Sequence, residues 1–537
     1  MNNNITYDIN PIEKGYLNST EIAHRKKYAQ FFTPQSIAHF MSKWVLGHKT
    51  GTHFLDPAVG TGIFIRSLLE LNSNVFIKGY DVDSNILDVL KMYVRSNQLK
   101  EKVNIICKDY MFNDWNNRYD GIICNPPYLK FQDFYNKDEA LEEFQIRLGM
   151  ILSGFSNIYT LFLLKSINQL NSDGRAAYII PSEFLNSDYG KTVKRYLIDN
   201  KTLRYIIIFN FDKIVFDDAL TTSSIFLFSN DDSKQDVEFI SINKAEELEE
   251  LSLKLEAYPD VVLKSKKVSF SSLDPNIKWR NYYQGTSINK YTNLAPFSNY
   301  CKVVRGIATG SNDYFTFDTE KKESFLIPLK YLIPCITKSN QVKSPFFTND
   351  NFIELKNRNQ KVFLFDASNS EDENVLAYLK LGEKLDIDKK FLTSHRTPWY
   401  AIENRPPSPI WVGVFNRGGL RFIRNEADIR NLTTFHCIYV TALFSEITDL
   451  IFSYLLTDVA REIFNDNRRE YGGGLEKFEP NDLNTSSIFD FSVLSKEQTN
   501  DILLHYTAYR DSCLKNKPNL QTLSRLNNIY FQLLKNE

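Results

Sequence analysis

The sequence predicts an α/β protein in which a mixed, doubly wound sheet of about seven strands is followed by a mixed α/β region. Up to about residue 230, strand-like apolar segments alternate with helix-like segments, as they do in an open sheet covered by helices on both faces. Beyond residue 265 this alternation is replaced by stretches rich in Gly, Pro and Asn, such as RPPSPIWVGVFNRGGL. A chain of 537 residues is also too long for one hydrophobic core.

The strand-like segments of the first half are, in order, GTHFLD, VFIKGYDVD, VNIICKDY, YDGIICNPPY, RAAYIIPSEFL, LRYIIIFN and SSIFLFSN. Helix-like segments separate them, and NIYTLFLLKSINQLNSDG predicts an amphipathic helix that ends at Gly174. Residues 231–265 lose the pattern, and we interpret them as a domain edge and connection. We therefore expect domains at 1–265 and 266–485, with a helical segment at 486–537 that belongs to the second.

Composition excludes several classes of protein. The chain is 43% hydrophobic and 24% charged, and no apolar run of 18 or more residues or secretory signal is present, so we expect no membrane association. The six cysteines show no CxxC spacing, which predicts no zinc site or disulfide framework and favours the cytoplasm. The net charge of -1 argues against a wholly basic nucleic-acid binder.

A glycine-containing loop follows the first strand. FLDPAVGTGIF places Asp56, Gly60 and Gly62 between a strand and a helix, where glycine allows a tight turn and the helix amino end favours negative groups. The loop lacks the GxGxxG fingerprint, and no GK[ST] follows, which argues against a P-loop nucleotidase. Taken alone, the loop is equally consistent with ordinary turn chemistry.

Acidic residues also end the next two strands. Asp81 ends the second strand, where it is placed to accept hydrogen bonds from ribose hydroxyls, whereas we expect Asp83 to be solvated. Asp109 and Tyr110 end the third, where a carboxylate could bind an adenine amino group and a ring could cover its face. Three acidic strand ends at one sheet edge predict a nucleoside cofactor site.

The fourth strand ends in Asn125, Pro126, Pro127 and Tyr128. Two consecutive prolines cannot donate backbone hydrogen bonds, so the sheet ladder must stop there. With this motif, the chain resembles the TaqI-like (gamma-class) N6-adenine-specific DNA methyltransferases of restriction-modification systems. QFFTPQSIAHFM resembles their Thr-Pro motif, DPAVGTGIF their cofactor loop, GYDVD and CKDY their ribose-binding and adenine-binding strand ends, and NPPY their catalytic motif.

The resemblance implies a Rossmann-like methyltransferase domain followed by a target-recognition domain, with S-adenosylmethionine as cofactor and duplex DNA as substrate. It also implies that the protein acts in the cytoplasm of a bacterial or archaeal cell, in association with the nucleoid. A separately encoded cognate endonuclease is implied as a partner. No metal is implied. The implied cofactor-binding residues are Thr33, Asp56, Pro57, Ala58, Gly60, Gly62, Asp81, Asp109, Tyr110, Asn125 and Pro127.

The NPPY motif, Asn125 to Tyr128, suits transfer to an exocyclic amine. The Asn125 side-chain oxygen and the Pro126 carbonyl can accept hydrogen bonds from that amine and orient its lone pair, while Pro127 helps to keep the loop rigid. A base in duplex DNA must first be flipped out, and Tyr128 would stack on it. In the family a second ring covers the other face, and Phe216 in DKIVFDDALTTSSIFLF is our candidate.

The second half resembles the family's target-recognition region more weakly. DNA recognition needs cations for phosphates and polar side chains for base edges. The candidates in loop-like stretches are Arg305, Lys338, His395, Arg396, Arg417, Arg421, Arg424, Arg468 and Arg469.

Three alternatives remain open at this level. The NPPY motif could serve RNA adenine or a protein amide, although the long second half favours specific duplex DNA. A bifunctional restriction enzyme would need a nuclease domain, which we do not expect because the Thr-Pro motif lies near residue 33 and YPDVVLKSKK lacks a second acid. A non-catalytic binding module is disfavoured by the intact motif.

Overall fold

The structure is a computed structural model that describes residues 10–47, 51–129, 131, 134–152, 157–187, 189–209, 223–244, 246–283, 290–368, 370–416, 418–471 and 475–535. The chain forms two compact units. The first comprises Met1–Gly285 with Glu470–Gly473, and the second comprises Thr286–Arg469 with Gly474–Glu537. The division at Gly285 falls after the boundary expected at residue 265, because the strand and helix that follow residue 265 join the first unit.

The first unit is built on one mixed sheet, with nine strands among the described residues. Its strands are β1 (His53–Asp56), β2 (Phe76–Asp81), β3 (Val103–Cys107), β4 (Tyr119–Cys124), β5 (Leu170–Pro181), β6 (Leu203–Phe209), β7 (Ser223–Ser229), β8 (Asp236–Ile242) and β9 (Lys266–Ser269). Their order across the sheet is β3-β2-β1-β4-β5-β7-β6-β8-β9. This confirms the predicted α/β fold class.

The first five strands of this order run parallel, whereas β7 is antiparallel to both β5 and β6. The parallel strands are largely apolar because helices cover both faces of such a sheet. Their carboxyl ends therefore lie at one edge, and this edge carries Asp56, Asp81 and Asn125 at or just after the ends of β1, β2 and β4.

The interpretation of residues 231–265 as a connection is wrong. The segment contains β8, which pairs in parallel with β6, and a helix that packs beneath the sheet; β9 then pairs antiparallel with β8. Within β8, Val237, Phe239 and Ile242 are buried, so this strand is part of the core. The acidic and polar residues on either side of β8 concealed its apolar pattern.

The helices of the first unit cover both faces of the sheet. They are α1 (Pro11–Ser19), α2 (Ile22–Lys27), α3 (Gln35–Leu46), α4 (Ile63–Leu71), α5 (Ser84–Ser96), α6 (Lys137–Leu148), α7 (Ile158–Asn168), α8 (Gly190–Asn200), α9 (Glu246–Leu255) and α10 (Arg280–Tyr283). The Trp44 indole of α3 donates to the carbonyls of Ala176 and Phe228, each at 3.1 Å. These bonds attach α3 to the centre of the sheet.

Helix α7 differs from its prediction in two ways. It is buried on all sides from Ile158 to Ile167, so it is not amphipathic. It also ends at Asn168, and Gly174 lies inside β5, where the pairing with β4 is irregular. A Cβ at Gly174 would lie 2.9 Å from the carbonyl oxygen of Asn171, so the glycine permits a bulge and does not end the helix.

The second unit combines several small sheets with helices. Its strands are β10 (Leu294–Pro296), β11 (Cys301–Arg305), β12 (Thr316–Phe317), β13 (Leu332–Ile336), β14 (Phe346–Phe347), β15 (Phe363–Phe365), β16 (Ile410–Gly413), β17 (Phe415–Asn416), β18 (Phe422–Asn425), β19 (Arg430–Asn431), β20 (Phe435–Val440), β21 (Arg469–Tyr471, which the division between units crosses), β22 (Leu475–Lys477) and β23 (Ser487–Phe489). The larger sheets have the orders β11-β20-β16-β18-β14 and β12-β15-β13-β19.

Ten helices complete the described part of this unit. They are α11 (Phe297–Tyr300), α12 (Asn312–Phe315), α13 (Thr319–Ser324), α14 (Asn349–Asn357), α15 (Glu373–Lys384), α16 (Thr448–Leu455), α17 (Asp458–Asn465), α18 (Pro480–Asn484), α19 (Lys496–Leu514) and α20 (Leu520–Lys535). The last two helices pack into the same core as α16, and the Tyr530 hydroxyl lies 2.8 Å from the Ser453 hydroxyl. Among the described residues, no helix has the length and apolarity that a membrane span requires.

Candidate active site

A cavity of about 580 Å³ opens at the carboxyl ends of β1 to β4. Ten of the predicted site residues line it: Thr33, Pro57, Ala58, Gly60, Asp81, Asp109, Tyr110, Asn125, Pro126 and Pro127. Asp56, Gly62 and Tyr128 do not reach the cavity wall. The remaining wall is largely apolar and includes Phe64, Val82, Ile86 and Phe162. A pocket with apolar walls and a few convergent polar groups is typical of a small-molecule site.

The glycine loop shapes one wall of this cavity. Gly60 and Gly62 have φ values of +51° and +86°, which side chains other than glycine adopt only with strain. A Cβ at Gly62 would lie 2.4 Å from Leu90, whereas a Cβ at Gly60 would meet only Ile86, at 3.7 Å. Gly62 is therefore required for the packing of α4 on α5, and Gly60 keeps the backbone open towards the cavity.

Asp81 lies at the centre of the cavity's polar wall. Its two carboxylate oxygens accept backbone N–H groups, from Gly60 at 3.0 Å and from Asp83 at 3.0 Å. Burial raises the pKa of Asp81 to about 6, and these two hydrogen bonds limit the rise. Each oxygen retains lone-pair capacity, so the carboxylate can still accept hydrogen bonds from hydroxyl groups.

Asp109 provides the second carboxylate of the wall. One oxygen accepts the Met111 backbone N–H at 2.9 Å, and the other lies 3.3 Å from the Tyr135 hydroxyl. Burial raises the pKa of Asp109 above its usual range. The adjacent Tyr110 carbonyl accepts a hydrogen bond from the buried Lys165 ammonium, whose pKa is lowered to about 7 by burial. Lys165 thereby fixes the loop that carries Asp109.

Asp56 has a different environment from the other two acids. Its side chain is fully buried behind the glycine loop, and one oxygen accepts the Ala58 N–H at 3.2 Å. Burial raises the pKa of Asp56 well above its usual value, with a smaller contribution from Asp81. This position favours a role in shaping the turn at Pro57 and Ala58.

The first three residues of the NPPY motif, Asn125, Pro126 and Pro127, border the opposite side of the cavity. The Asn125 amide nitrogen donates to the Phe31 carbonyl and to the Thr33 hydroxyl oxygen, each at 3.1 Å. Its carbonyl oxygen Oδ1 is buried and has no hydrogen-bond donor among the described residues. A buried acceptor without a partner costs free energy, and it is often found where a ligand supplies the missing donor.

Tyr128 is half-buried below the cavity. Its hydroxyl donates to the Ile179 carbonyl at 3.1 Å, and its ring is stacked with that of Phe31 at a centroid distance of 5.4 Å and an interplanar angle of 25°. Tyr159 packs edge-on against the same ring, at 6.1 Å. Phe216, the second predicted stacking residue, lies outside the described residues.

Residues 27–33, from the last residue of α2 to the Thr-Pro motif, form a further wall of the cavity, and the sequence predicts only its Thr-Pro part. The expectation that Asp83 is solvated is wrong, because its side chain is buried under this segment. One Asp83 oxygen lies 2.6 Å from Gln30 Nε2, 2.8 Å from His24 Nε2 and 3.3 Å from the Tyr16 hydroxyl. These contacts join residues far apart in sequence, and no local pattern predicts them.

Glu13 makes a second buried contact between α1 and the glycine loop. Its carboxylate accepts the Thr61 hydroxyl at 2.5 Å and pairs with the Arg66 guanidinium. Arg66 also donates to the Thr61 carbonyl at 2.8 Å. The amino-terminal helices are therefore fixed to both the first and the second strand ends of the site.

The candidate DNA-binding residues in the second unit fall into two groups. Three are exposed: Arg305, Lys338 and His395. Arg305 lies 3.4 Å from Glu403, and the His395 ring nitrogen lies 2.6 Å from the Phe391 carbonyl. Exposure to solvent is the property that a phosphate-contacting side chain needs, and these three candidates have it.

The second group is engaged within the unit. Arg396 donates to the carbonyls of Ala308 and Thr309, and Arg421 donates to that of Val342, where burial lowers its pKa. Ion pairs join Arg424 to Asp449 at 2.8 Å and Arg468 to Glu476 at 3.2 Å. Arg417 and the side chain of Arg469 lie outside the described residues.

The fold and the site together define a Rossmann-like methyltransferase domain followed by a mixed α/β domain. Residues 16–259 match the family described as N-6 DNA Methylase, and residues 280–527 match the C-terminal domain of the type II methyltransferase M.Eco57I. The first matched region ends before the division at Gly285, and the second begins at residue 280, shortly before that division, and covers most of the second unit.

The chain is 51% identical to the type II methyltransferase M.AccI of Acinetobacter calcoaceticus, over 97% of this chain and 96% of that protein. It is 20% identical to the type II methyltransferase M.XamI of Xanthomonas campestris pv. amaranthicola, over 86% and 85% of the two chains. The chain therefore belongs to the type II DNA methyltransferases, and it is an N6-adenine-specific DNA methyltransferase of a restriction-modification system. The function implied by the resemblance is confirmed.

A solved structure of the type IIL restriction-modification enzyme MmeI in complex with DNA covers 97% of this chain and 73% of its own, with a TM-score of 0.56 and 12% identity. At this identity the likeness shows a shared fold. It extends through both units of the chain.

Proposed function

We propose that the chain uses S-adenosylmethionine to methylate a flipped-out adenine in duplex DNA, with Asn125 and Pro126 binding the adenine amine. The observation that carries this proposal is the buried Oδ1 of Asn125, a residue that lines the cavity; this oxygen has no donor among the described residues. An exocyclic amine brings two N–H donors, of which one suits Oδ1 and the other the Pro126 carbonyl.

The cavity residues suit S-adenosylmethionine, which when bound supplies an electrophilic methyl group on a sulfonium. Asp81 would accept the ribose hydroxyls, and Asp109 would accept the adenine amino group of the cofactor. Apolar walls at Ile86 and Phe162 suit the flat adenine ring. Asp56, which is buried behind the loop, would act on the cofactor only through the turn that it stabilises.

The chemistry assigned to the chain is positioning and electrostatics. Two fixed acceptors hold the target amine so that its lone pair faces the methyl group, and they stabilise the positive charge that develops on nitrogen. The two prolines limit the freedom of the loop, so little entropy is lost when the amine binds. We assign Tyr128 to stack on the base, which would recover roughly 1–3 kcal/mol of the cost of flipping. Because one face of its ring already stacks on Phe31 and the ring does not line the cavity, the base would have to reach the other face.

We assign the cofactor and the chemistry to the first unit and sequence recognition to the second. The match of the second unit to the C-terminal domain of M.Eco57I and the exposed cations Arg305 and Lys338 support this division. We also propose that the enzyme acts in the cytoplasm and protects sites that a separately encoded endonuclease cleaves.

Transfer of labelled methyl from S-adenosylmethionine to unmodified duplex DNA, RNA and protein tests the substrate. We expect label in duplex DNA alone, recovered as N6-methyladenine after digestion, and single-molecule sequencing would give its sequence context. Label confined to RNA or protein would overturn the proposed substrate. Cleavage of unmethylated DNA by the chain with magnesium would overturn the proposal that a separately encoded endonuclease cleaves the sites.

Replacement of Asn125 tests the site. Because Asn125→Ala removes an acceptor that acts in the transition state, we expect the single-turnover rate to fall by about a hundredfold or more. Dissociation constants for cofactor and DNA should change by less than about threefold. Asn104→Ala, at an exposed position of β3 in the same unit, is the matched control and should keep the wild-type rate. Full activity of Asn125→Ala would refute the assigned role.

A further inference from the structure

We propose that Thr33, acting with the backbone carbonyl of Phe31, is a positioning residue that fixes the amide orientation of Asn125 for methyl transfer. The proposal rests on the function assigned to Asn125 above. It gives Thr33 a role in the chemistry that differs from the cofactor contact implied by the Thr-Pro motif.

The orientation of an asparagine amide decides whether it accepts or donates at a given point. Rotation by 180° exchanges the oxygen and the NH₂ group with almost no change in shape. With the oxygen towards the substrate, Asn125 accepts from the target amine. With the NH₂ group there, two donors would face each other, and the amine would lose the acceptor that orients its lone pair.

The Phe31 carbonyl determines which orientation forms. A backbone carbonyl can only accept hydrogen bonds, so the atom of Asn125 that lies 3.1 Å from it must be the nitrogen. The Thr33 hydroxyl oxygen accepts the second hydrogen of the same nitrogen at 3.1 Å. Both donor hydrogens of the amide are thereby used, and Oδ1 is left without a donor among the described residues.

The segment that supplies these two acceptors is itself held in place. Thr33 is buried, with 3% of its surface exposed, and the next residue, Pro34, occupies the N-cap position of α3. Three residues earlier, Gln30 donates to the buried Asp83 at 2.6 Å. The Phe31 ring is stacked on Tyr128, so one short segment contacts two members of the NPPY motif. A rigid support of this kind is what precise positioning of a reacting group requires.

The two roles of Thr33 predict different kinetics. If Thr33 positions Asn125, its loss lowers the rate of the chemical step at saturating cofactor and DNA. If Thr33 only binds cofactor, its loss raises the cofactor dissociation constant, and saturating cofactor restores the rate. The hydroxyl group, rather than the methyl group, should carry the positioning effect.

The experiment compares Thr33→Val, which keeps the shape and removes the hydroxyl, with Thr33→Ser, which keeps the hydroxyl. Single-turnover methylation of duplex DNA is measured at saturating cofactor, together with cofactor affinity by calorimetry and the melting temperature. We expect Thr33→Val to be about tenfold slower, as loss of one hydrogen bond implies, with its cofactor affinity within about threefold of wild type. Thr33→Ser should restore most of the rate.

Rate loss that disappears at saturating cofactor would overturn the proposal, as would equal rates for Thr33→Val and the wild type. If Thr33→Val does not fold, Thr33→Ala takes its place in the comparison with Thr33→Ser, and equal rates for these two would also overturn it. The wild-type rate tests the proposed function separately. If the wild-type protein does not methylate DNA, the roles assigned to Asn125 and Thr33 both fail.

Discussion

Asp81 shows which properties of a residue the sequence predicts and which depend on the folded structure. Its place at the end of an apolar strand indicated a hydrogen-bond acceptor at the cavity, and it lines the cavity. Its pKa of about 6 was not predictable, because burial by parts of the chain distant in sequence causes the shift. The expectation that Asp83 is solvated is wrong for the same reason, because the groups that bury it lie more than fifty residues earlier in the chain.

The raised pKa of Asp81 predicts that cofactor binding depends on pH. Ribose hydroxyls donate to the ionised carboxylate, so binding favours the form present above pH 6 and the affinity falls as the pH drops through about 6. We expect the dissociation constant for S-adenosylmethionine to increase about tenfold for each unit of pH below that point, as measured by calorimetry between pH 5 and 8.

Asp81→Asn is the control for this prediction. The amide cannot ionise, so the variant should bind more weakly at pH 7.5 and lose most of the pH dependence. Asp83 and Asp56 lie close to Asp81 and contribute to its electrostatic environment. An unchanged pH profile in Asp81→Asn would assign the titration to a group other than Asp81.

At the scale of elements, the strands and the loops at their ends were predictable, because apolar runs, glycines and prolines are local signals. No such local signal predicts that helix α1 packs against the glycine loop and Asp83. Its buried Glu13 bonds to Thr61 of the glycine loop, and Tyr16 contacts Asp83. Contacts of this kind depend on which elements meet in space. Strand β8 was missed for a related reason, since polar flanks hid a short apolar pattern.

The amino-terminal helices should depend on Asp83. Asp83→Ala removes the acceptor for Tyr16, His24 and Gln30 and the N-cap of α5. A lost cap and lost buried hydrogen bonds together predict that the free energy of unfolding falls by roughly 2–4 kcal/mol. Urea denaturation would measure this change, and cofactor affinity should fall with it. Asp88→Ala, at an exposed position of the same helix, should stay within about 0.5 kcal/mol of wild type.

At the scale of the whole molecule, length and the change in pattern near residue 265 were enough to predict two parts with different architectures. The nearly neutral net charge gave no indication of where nucleic acid binds. The sequence also does not distinguish exposed arginines from those whose side chains donate hydrogen bonds to the backbone of the second unit. Arg396 and Arg421 lie in loop-like sequence, yet both bind backbone carbonyls.

This distinction predicts that replacing an exposed cation weakens DNA binding, whereas replacing an arginine that binds backbone carbonyls lowers stability. Lys338 is exposed, so Lys338→Ala should weaken DNA binding a few-fold, leave the melting temperature unchanged and reduce the slope of log K against log[salt] by about 0.9 if Lys338 contacts one phosphate. Fluorescence anisotropy at several salt concentrations would measure the slope. Arg421→Ala should instead lower the melting temperature, because it leaves the Val342 carbonyl without its donor. An unchanged slope in Lys338→Ala would remove this residue from the DNA-contacting set.

The packing of the two carboxyl-terminal helices determines which part of the chain can be exchanged between relatives to change the recognised DNA sequence. Tyr506 of α19 and Tyr530 of α20 lie in one core with Phe452 and Tyr454 of α16, and Arg510 binds Glu426 through two bonds of 2.7 Å. A recombinant that took residues 286–485 from a relative would replace only one side of this core. We therefore expect an exchange of specificity to give a folded protein when the whole second unit, including α19 and α20, comes from the relative. Exchange of residues 286–485 alone should not.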